Sequence, residues 1–398
     1  MEPSFAMIKA YKLAIRTTKA QERFFIRQCA QSRLVYNEYL RYKQAKYAER
    51  MAAKEAGVEN WKEISVPSAM GSSKWLTDLK RGSEWLQEAI AQSLVGELSA
   101  CDKAYKNFFR RIKAGGPPGF PKFKGRFDRD SFYLSNQSVK RTESGLRIMK
   151  IGEIRLFEKD YLPREGSIRE GSISKQGGRW FVSLVVETQD KVSTANNGPV
   201  VGVDLGIRNL ITISDGTVVQ APKPGNTAQK RQRRLAKSMS RKTKGSANYK
   251  KAKARLEKLH SRVANKRLDF THKTTKMMTT KYGLIGMETL QVKNLMSKKG
   301  NLGRSLADVA LGELNRQLDY KAGWYGSKIL RADRFFPSSK ICSVCSTKNS
   351  PGRTASWSCE RCGVKHDRDE NAAQNLLAWV SSTSVLPKPG VTLENTET

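Results

Sequence analysis

Residues 200–213 read VVGVDLGIRNLITI, and this stretch restricts the fold of the chain more than any other. Val200, Val201, Gly202 and Val203 have the apolar character of a buried strand, and they deliver Asp204 to a strand end. Gly206 permits a tight turn, and residues 210–213 read as a second strand running back. For a single aspartate, a turn carboxylate is the stronger reading. Two further carboxylates in similar settings shift the balance. Residues 284–287, LIGM, make another short apolar strand that leads to Glu288. Residues 366–371, HDRDEN, open a helix that carries Ala372, Ala373, Leu376 and Leu377.

Three carboxylates converging from one sheet and one helix suit a pair of divalent ions. Such ions stabilise the attacking and leaving oxygens of an in-line phosphoryl displacement. In the third segment Asp367 and Glu370 have capping-box spacing, so Asp367 is expected to cap the helix. Asp369 shares a helix face with Ala372, Ala373 and Leu376, which packs on the sheet, and is the expected ligand. The expected catalytic set is therefore Asp204, Glu288 and Asp369, with Mg²⁺ as its cofactor.

The 398 residues carry 73 Lys+Arg against 37 Asp+Glu, a formal charge of +36. An excess of this size implies a polyanionic partner, and nucleic acid is the default. A ribosomal or chromatin protein would share that charge but seldom needs a buried acidic trio. The apolar fraction of 38%, with 30 glycines, is that of a globular chain and not of a disordered basic one. No apolar run approaches the ~20 residues of a membrane span, and the N-terminal residues lack the apolar core of a secretory signal. Cysteine usage points the same way: Cys29 and Cys101 are isolated and the other four are clustered, as in a reducing cytosol. A prokaryotic, nucleoid-associated cytoplasmic protein is expected.

Residues 7–16 alternate as a strand, and Thr18 with Gln21 signals a capped helix carrying Phe25, Cys29, Val35, Tyr36 and Tyr39. Residues 57–73 are loop-rich. From 84 to 112, Leu94, Leu98, Cys101, Tyr105, Phe108 and Ile112 recur at steps of four and three, the stripe of a helix packed in a small bundle. Gly115, Gly116, Pro117 and Pro118 stop it. Residues 119–134 then interleave Phe120, Phe123, Phe127 and Phe132 with Lys122, Lys124, Arg126 and Arg129. Aromatics can stack on bases while cations hold phosphates; a core strand with a basic outer face fits equally well. Short strands follow at 146–151, 154–157, 168–174 and 180–187, the last two joined by a turn at Gly177 and Gly178. Together with the N-terminal strand they predict a small β-barrel or sheet.

Residues 196–199 link into the carboxylate domain. Between its first two carboxylate strands, residues 221–280 hold nineteen Lys/Arg against Glu257 and Asp269, with a narrow apolar stripe at Ala252, Leu256, Leu259, Val263 and Phe270. A merely solvated face would mix signs, so a pair of phosphate-tracking helices is expected. Residues 298–304 read as a flexible basic loop, 306–325 as one amphipathic helix, 328–331 as a strand, and 381–398 as a disordered tail. The clustered cysteines form two CxxC knuckles, Cys342 with Cys345 and Cys359 with Cys362, separated by thirteen residues. Paired knuckles of this kind wrap a tetrahedral Zn²⁺, as a structural site.

GVDLGIRNL, IGMETL, the run FFPSSKICSVC…CERCGVKHDRDENAAQNLL and the upstream GFPKFKG resemble the TnpB proteins of bacterial and archaeal insertion sequences, compact relatives of the type V CRISPR effectors. The resemblance spans nearly the whole chain in the same order. It implies an α/β RNase H-like, RuvC-like nuclease domain, whose three metal-binding positions fall on Asp204, Glu288 and Asp369. It further implies a β-barrel wedge domain for an RNA scaffold and an α-helical recognition domain. The implied boundaries are 1–17 for the first wedge strand, 18–116 for recognition helices and 117–196 for the wedge. The nuclease domain with its basic insertion follows at 197–336, a zinc ribbon at 337–366, the last nuclease helix at 367–380 and the tail at 381–398. By the resemblance the chain carries a transposon-end guide RNA, acts as a monomer in its ribonucleoprotein, and cuts target double-stranded DNA next to a short adjacent motif. A small type V CRISPR effector is the alternative; a non-cleaving RNA-guided repressor and a strand-transferring transposase are further ones.

Overall fold

The computed structural model describes residues 7–117, 119–126, 128–189, 195–290, 301–352 and 354–385. The chain divides into two compact units, Met1–Asp190 and Lys191–Thr398.

The first unit is built on β1 (Met7–Arg16) and α1 (Lys19–Glu55). The expected capping box is present: Thr18 Oγ1 accepts from the Gln21 amide, and the Gln21 side chain accepts from the Thr18 amide. α2 (Ser73–Arg81), a single turn α3 (Glu84–Gln87) and α4 (Ala91–Lys113) complete the helices. The predicted 84–112 helix is thus split, because Ile90 is extended and starts a new helix. Leu94, Leu98 and Cys101 of the stripe are buried, whereas Ile112 reaches solvent.

Seven antiparallel strands pack against α1. They are β1, β2 (Ser131–Ser135), β3 (Val139–Arg141), β4 (Gly145–Ile148), β5 (Gly152–Leu156), β6 (Ser167–Gln176) and β7 (Arg179–Thr188), in the order β2-β6-β7-β1-β5-β4-β3. β1 is the hinge of this sheet: residues 7–14 pair with β7, and Ile15 and Arg16 cross to β5. The edge strands β2 and β3 are separated only by a 3-10 turn (Asn136–Ser138), so the sheet must curl. No β2–β3 ladder closes it among the described residues, so the expected barrel is an open sheet in its hydrogen bonding. Gly177 and Gly178, both at positive φ, form the predicted β6–β7 turn. Phe25 of α1 meets Trp180 and Phe132 at ring separations of 5.0 and 5.8 Å, which joins helix and sheet in one core.

The second unit is organised on β8 (Val200–Leu205), β9 (Ile211–Ile213), β10 (Val218–Val219), β11 (Leu284–Glu288) and β12 (Lys328–Ala332). Their order is β10-β9-β8-β11-β12; β8, β11 and β12 run parallel, and β9 and β10 return antiparallel. Two helices, α5 (Pro224–Ser240) and α6 (Ala247–Lys281), fill the crossover from the hairpin to β11. The expected 306–325 helix is instead two, α7 (Asn301–Val309) and α8 (Leu311–Tyr325), broken where Ala310 adopts φ 55°. The basic stretch expected as a loop at 298–304 enters α7 at Asn301, and its first three residues lie outside the described ones. α9 (Arg368–Val385) runs past the predicted end at 380; residues 386–398 lie outside the described ones.

α9 lies against β8 and β11 with no room for side chains at two points. A Cβ on Gly202 would stand 2.0 Å from the Ala373 carbonyl oxygen and 2.2 Å from the Leu377 nitrogen. A Cβ on Gly286 would stand 2.7 Å from the Val380 side chain. Ala372, Ala373, Leu376 and Val380 are buried on this face. Gly202→Ala is therefore expected to push α9 off the sheet and to cost about 1–3 kcal/mol. Gly286→Ala should cost less, because its closest approaches, 2.7 Å to Val380 Cβ and 3.0 Å to the Leu376 carbonyl oxygen, are longer than those at Gly202. Denaturant midpoints of the two variants test the order; a Gly202→Ala midpoint equal to wild type would contradict it.

Candidate nuclease site and zinc ribbon

The register of the parallel strands sets Asp204 beside Glu288. Val203 pairs with Met287, so the next residue of each strand stands level with its neighbour, on strands about 4.8 Å apart. Both carboxylates lie two residues beyond the close-packed glycines and so share the sheet face that α9 covers. The first turn of α9 supplies Asp369. Its carboxylate accepts from Asn209 Nδ2 at 3.4 Å, in the turn that follows Asp204. Asp367 does what its position predicts: its Oδ1 accepts from the amides of Asp369 and Glu370, at 2.9 and 3.1 Å, and so caps the helix.

Charge inside the cluster is frustrated. Asp204 is raised to about 8, first by burial, then by the charges of Glu288 and Asp369, with Arg368 opposing. Glu288 is raised as well, by burial, and again Arg368 opposes. Carboxylates that repel one another at the positive end of a helix make a donor set for a hard cation. The trio forms no closed single-ion cage among the described residues, unlike the four thiols. An open set of hard oxygen donors fits ions shared with a phosphate oxygen.

The Sγ atoms of Cys342, Cys345, Cys359 and Cys362 all lie within 4.8 Å of one another. The Cys342–Cys362 and Cys345–Cys359 separations are 3.7 and 3.5 Å. Tetrahedral zinc with thiolate bonds of about 2.3 Å requires spacings close to these, so the set fits the metal. The backbone knuckles are formed: the Ser346 amide donates to the Cys342 carbonyl and the Gly363 amide to that of Cys359, each at 2.9 Å. His366 Nε2 approaches Cys342 Sγ at 3.1 Å, and Asn349 Nδ2 donates to Cys359 Sγ at 3.6 Å. Trp357 on β13 (Ser356–Ser358) packs on the thiols and, across the strand pair, on His366 of β14 (Lys365–Asp367).

Sequence reading missed the residues that tie the ribbon to the nuclease helix. Asn371 and Asn375, one turn apart on α9, both donate to the Ile341 carbonyl at 2.7 Å, and Asn371 Oδ1 accepts from the Ser343 amide. Their i, i+4 spacing beside the buried alanines was the available signal. The aromatic and basic run at 119–134 divides. Phe132 is core, Phe120 and Phe123 are about half exposed, and Phe127 lies outside the described residues. Lys124 turns inward, with Nζ 2.5 Å from Glu97 and over the Tyr36 ring.

A five-stranded sheet in this order, with carboxylates at adjacent strand ends and a helix across them, defines an RNase H-like nuclease fold of the RuvC type. A family profile described as "Probable transposase" matches residues 183–299, one described as "Cas12f1-like, TNB domain" matches 312–376, and a "Helix-turn-helix domain" profile matches 7–51. The last stretch is here one strand and part of a single uninterrupted helix. A Streptomyces pristinaespiralis protein described as "Putative RNA-guided DNA endonuclease" is 32% identical, over 93% of this chain and 89% of its own length. An Escherichia coli K12 protein of the same description is 31% identical, over 93% and 92%. A Cas12f1 chain, solved in complex with its sgRNA and target DNA, superposes with a TM-score of 0.52 at 13% identity, over 94% of this chain and 99% of that one. The chain belongs to the TnpB family. Among the described residues no helix is long and apolar enough to cross a membrane.

His366→Ala is expected to leave the four thiols in place but to weaken zinc retention roughly 10–100-fold, since it removes a partner of a ligand. Competition with a chromogenic chelator measures this. Protein purified without chelators should hold one zinc per chain by elemental analysis.

Proposed function

We propose that this chain is an RNA-guided DNA endonuclease of a transposable element, with Asp204, Glu288 and Asp369 as its catalytic residues. The observation that carries the proposal is the meeting of these three carboxylates at the strand ends of a RuvC-type sheet, in a chain of net charge +36. The three side chains would hold Mg²⁺, which supplies an activated water and charge stabilisation at the leaving 3′ oxygen. Asn209 and the Asp367 cap orient Asp369, and the α9 N-terminus favours the negative charge gathered there. Zn²⁺ on Cys342, Cys345, Cys359 and Cys362 is a structural ion that fixes the ribbon before α9. The curled sheet is the proposed wedge for the RNA scaffold and α1–α4 the recognition helices; base pairing to the guide supplies sequence specificity.

The helix pair α5–α6 is the proposed phosphate-tracking element. Arg231 and Leu235 of α5 face Arg255, Lys258, Leu259 and Arg262 of α6 across a cleft of about 250 Å³. None of these four cations has an acidic partner among the described residues. Replacing Arg255, Lys258 and Arg262 together by Ala should weaken binding across sequences and flatten the salt dependence by roughly 0.7–0.9 per lost contact. An unchanged slope would return this face to plain solvent exposure.

Asp204→Ala, Glu288→Ala and Asp369→Ala should each abolish cleavage of a guide-matched plasmid in Mg²⁺ while leaving RNA binding and target capture intact. Asp367→Ala removes only a cap, at ~1 kcal/mol, and should retain activity at low temperature. Were Asp369→Ala to cut at wild-type rate and Asp367→Ala to be dead, the two roles would be exchanged. A wild-type protein that captures its target but never cuts would leave the repressor reading.

A further inference from the structure

Beside the β3–β4 hairpin lies a cavity of about 650 Å³ that the nuclease chemistry does not use. Arg141, at the end of β3, lines it. One guanidinium nitrogen, Nη1, donates to the Arg164 carbonyl oxygen. The other two, Nε and Nη2, are sealed from solvent and meet no acceptor among the described residues. A buried N–H without a partner costs about 1–3 kcal/mol, and more on a charged group, so this edge is a deficit that a ligand could relieve.

Nε and Nη2 form the side of the guanidinium fork that engages two acceptors at once. Phosphate, carboxylate and the O6/N7 edge of guanine all answer that geometry. The rest of the wall chooses among them. Glu143 and Asp160 also line the cavity, and neither has an ion-pair or hydrogen-bond partner among the described residues. Two free carboxylates disfavour an anion as the group seated inside. They answer the N1–H and N2 amino donors on the opposite edge of guanine. Leu156 and Leu162, both buried, offer an apolar surface for a base face. Lys159 and Arg164, both exposed and on the lining, can meet a flanking phosphate.

We propose that this cavity binds an unpaired guanosine of the guide RNA, with Arg141 on its O6/N7 edge and Glu143 or Asp160 on its Watson–Crick donors. The base must be unpaired, since pairing occupies N1 and N2. Entry requires the groups that seal the Arg141 fork from solvent to move aside. The proposal rests on the RNA-guided reading and specifies where a non-catalytic contact to that RNA is made.

The test uses the full chain, reassembled with the RNA that co-purifies with wild type, and a dicarbonyl reagent that modifies N1 and N2 of accessible guanines. One guanosine protected in the wild-type complex should become reactive in the Arg141→Lys complex, which keeps the charge but loses the fork. RNA affinity should fall roughly tenfold. The exposed pair Glu143→Ala with Asp160→Ala should unmask the same guanosine without altering the thermal midpoint, which covers a misfolded Arg141 variant. If every guanosine keeps its wild-type reactivity in both variants, the pocket proposal fails while the RNA-guided reading stands. If wild type retains no RNA at all, both fail.

Discussion

The second unit depends on one close approach, the laying of α9 directly onto β8 and β11 at Gly202 and Gly286. Each glycine stands two residues before a carboxylate, so the positions that let the helix in are in phase with the positions that face the site. Packing must do this work because electrostatics opposes it. Burial first, and then the charges of Glu288 and Asp369, raise the Asp204 carboxyl to about 8, even with Arg368 opposing. The apolar contacts of Ala372, Ala373, Leu376 and Val380 oppose that repulsion. A site assembled this way is strained in electrostatic terms and relaxed in steric ones, which is the condition under which a cation binds tightly.

The four-cysteine ribbon acts on the same helix through its first two turns. β14 ends at Asp367, whose carboxylate caps α9, and Asp369 follows two residues later. Folding of the thiol cluster fixes His366 and Trp357, and through β14 fixes where α9 begins. Asn371 and Asn375 then bind the first knuckle's backbone to the second turn of the helix. A zinc ion held by the four thiols would thus be coupled to the position of Asp369 through covalent continuity and side-chain amides. Loss of the metal would release the start of α9 without touching the strands that carry Asp204 and Glu288.

The sequence made legible those features that depend on local pattern. Strand ends with carboxylates, the Thr18 capping box, the Asp367 cap and the paired CxxC spacing each follow from a few adjacent residues. Features set by distant contacts were not legible. Lys124 reads as a nucleic-acid cation beside Phe123, yet it is drawn to buried Glu97, twenty-seven residues earlier in the chain. The single 306–325 helix fails at Ala310, whose backbone turns to φ 55° between buried Val309 and Leu311, and no local residue pattern announces that turn. Strand β2 falls at the end of the stretch for which a core strand was one of two readings, whereas β3 escaped notice because it is three residues long and follows a turn without glycine or proline.

The basic helix pair shows how a chain of this charge stays folded without its polyanion. α5 has no side-chain cap of its own, and Lys223 before it sits at φ 45°. Its first amides, Gly225 and Asn226, donate instead to Asp308 of α7 at 2.8 and 2.9 Å. The same carboxylate, almost fully buried, is paired with Arg267 of α6 at 2.7 Å. One acid therefore anchors the base of both helices, where α6 is also bound into the sheet core through Met278 and Tyr282. Beyond that anchor Ala252 is the one buried residue of α6 before Thr271, and cations crowd the remaining faces. Like charges one turn apart destabilise a helix by a few tenths of a kcal/mol each. The outer half of the pair is held by a thin apolar stripe against that repulsion, and a phosphate backbone is the counterion that would reverse its sign.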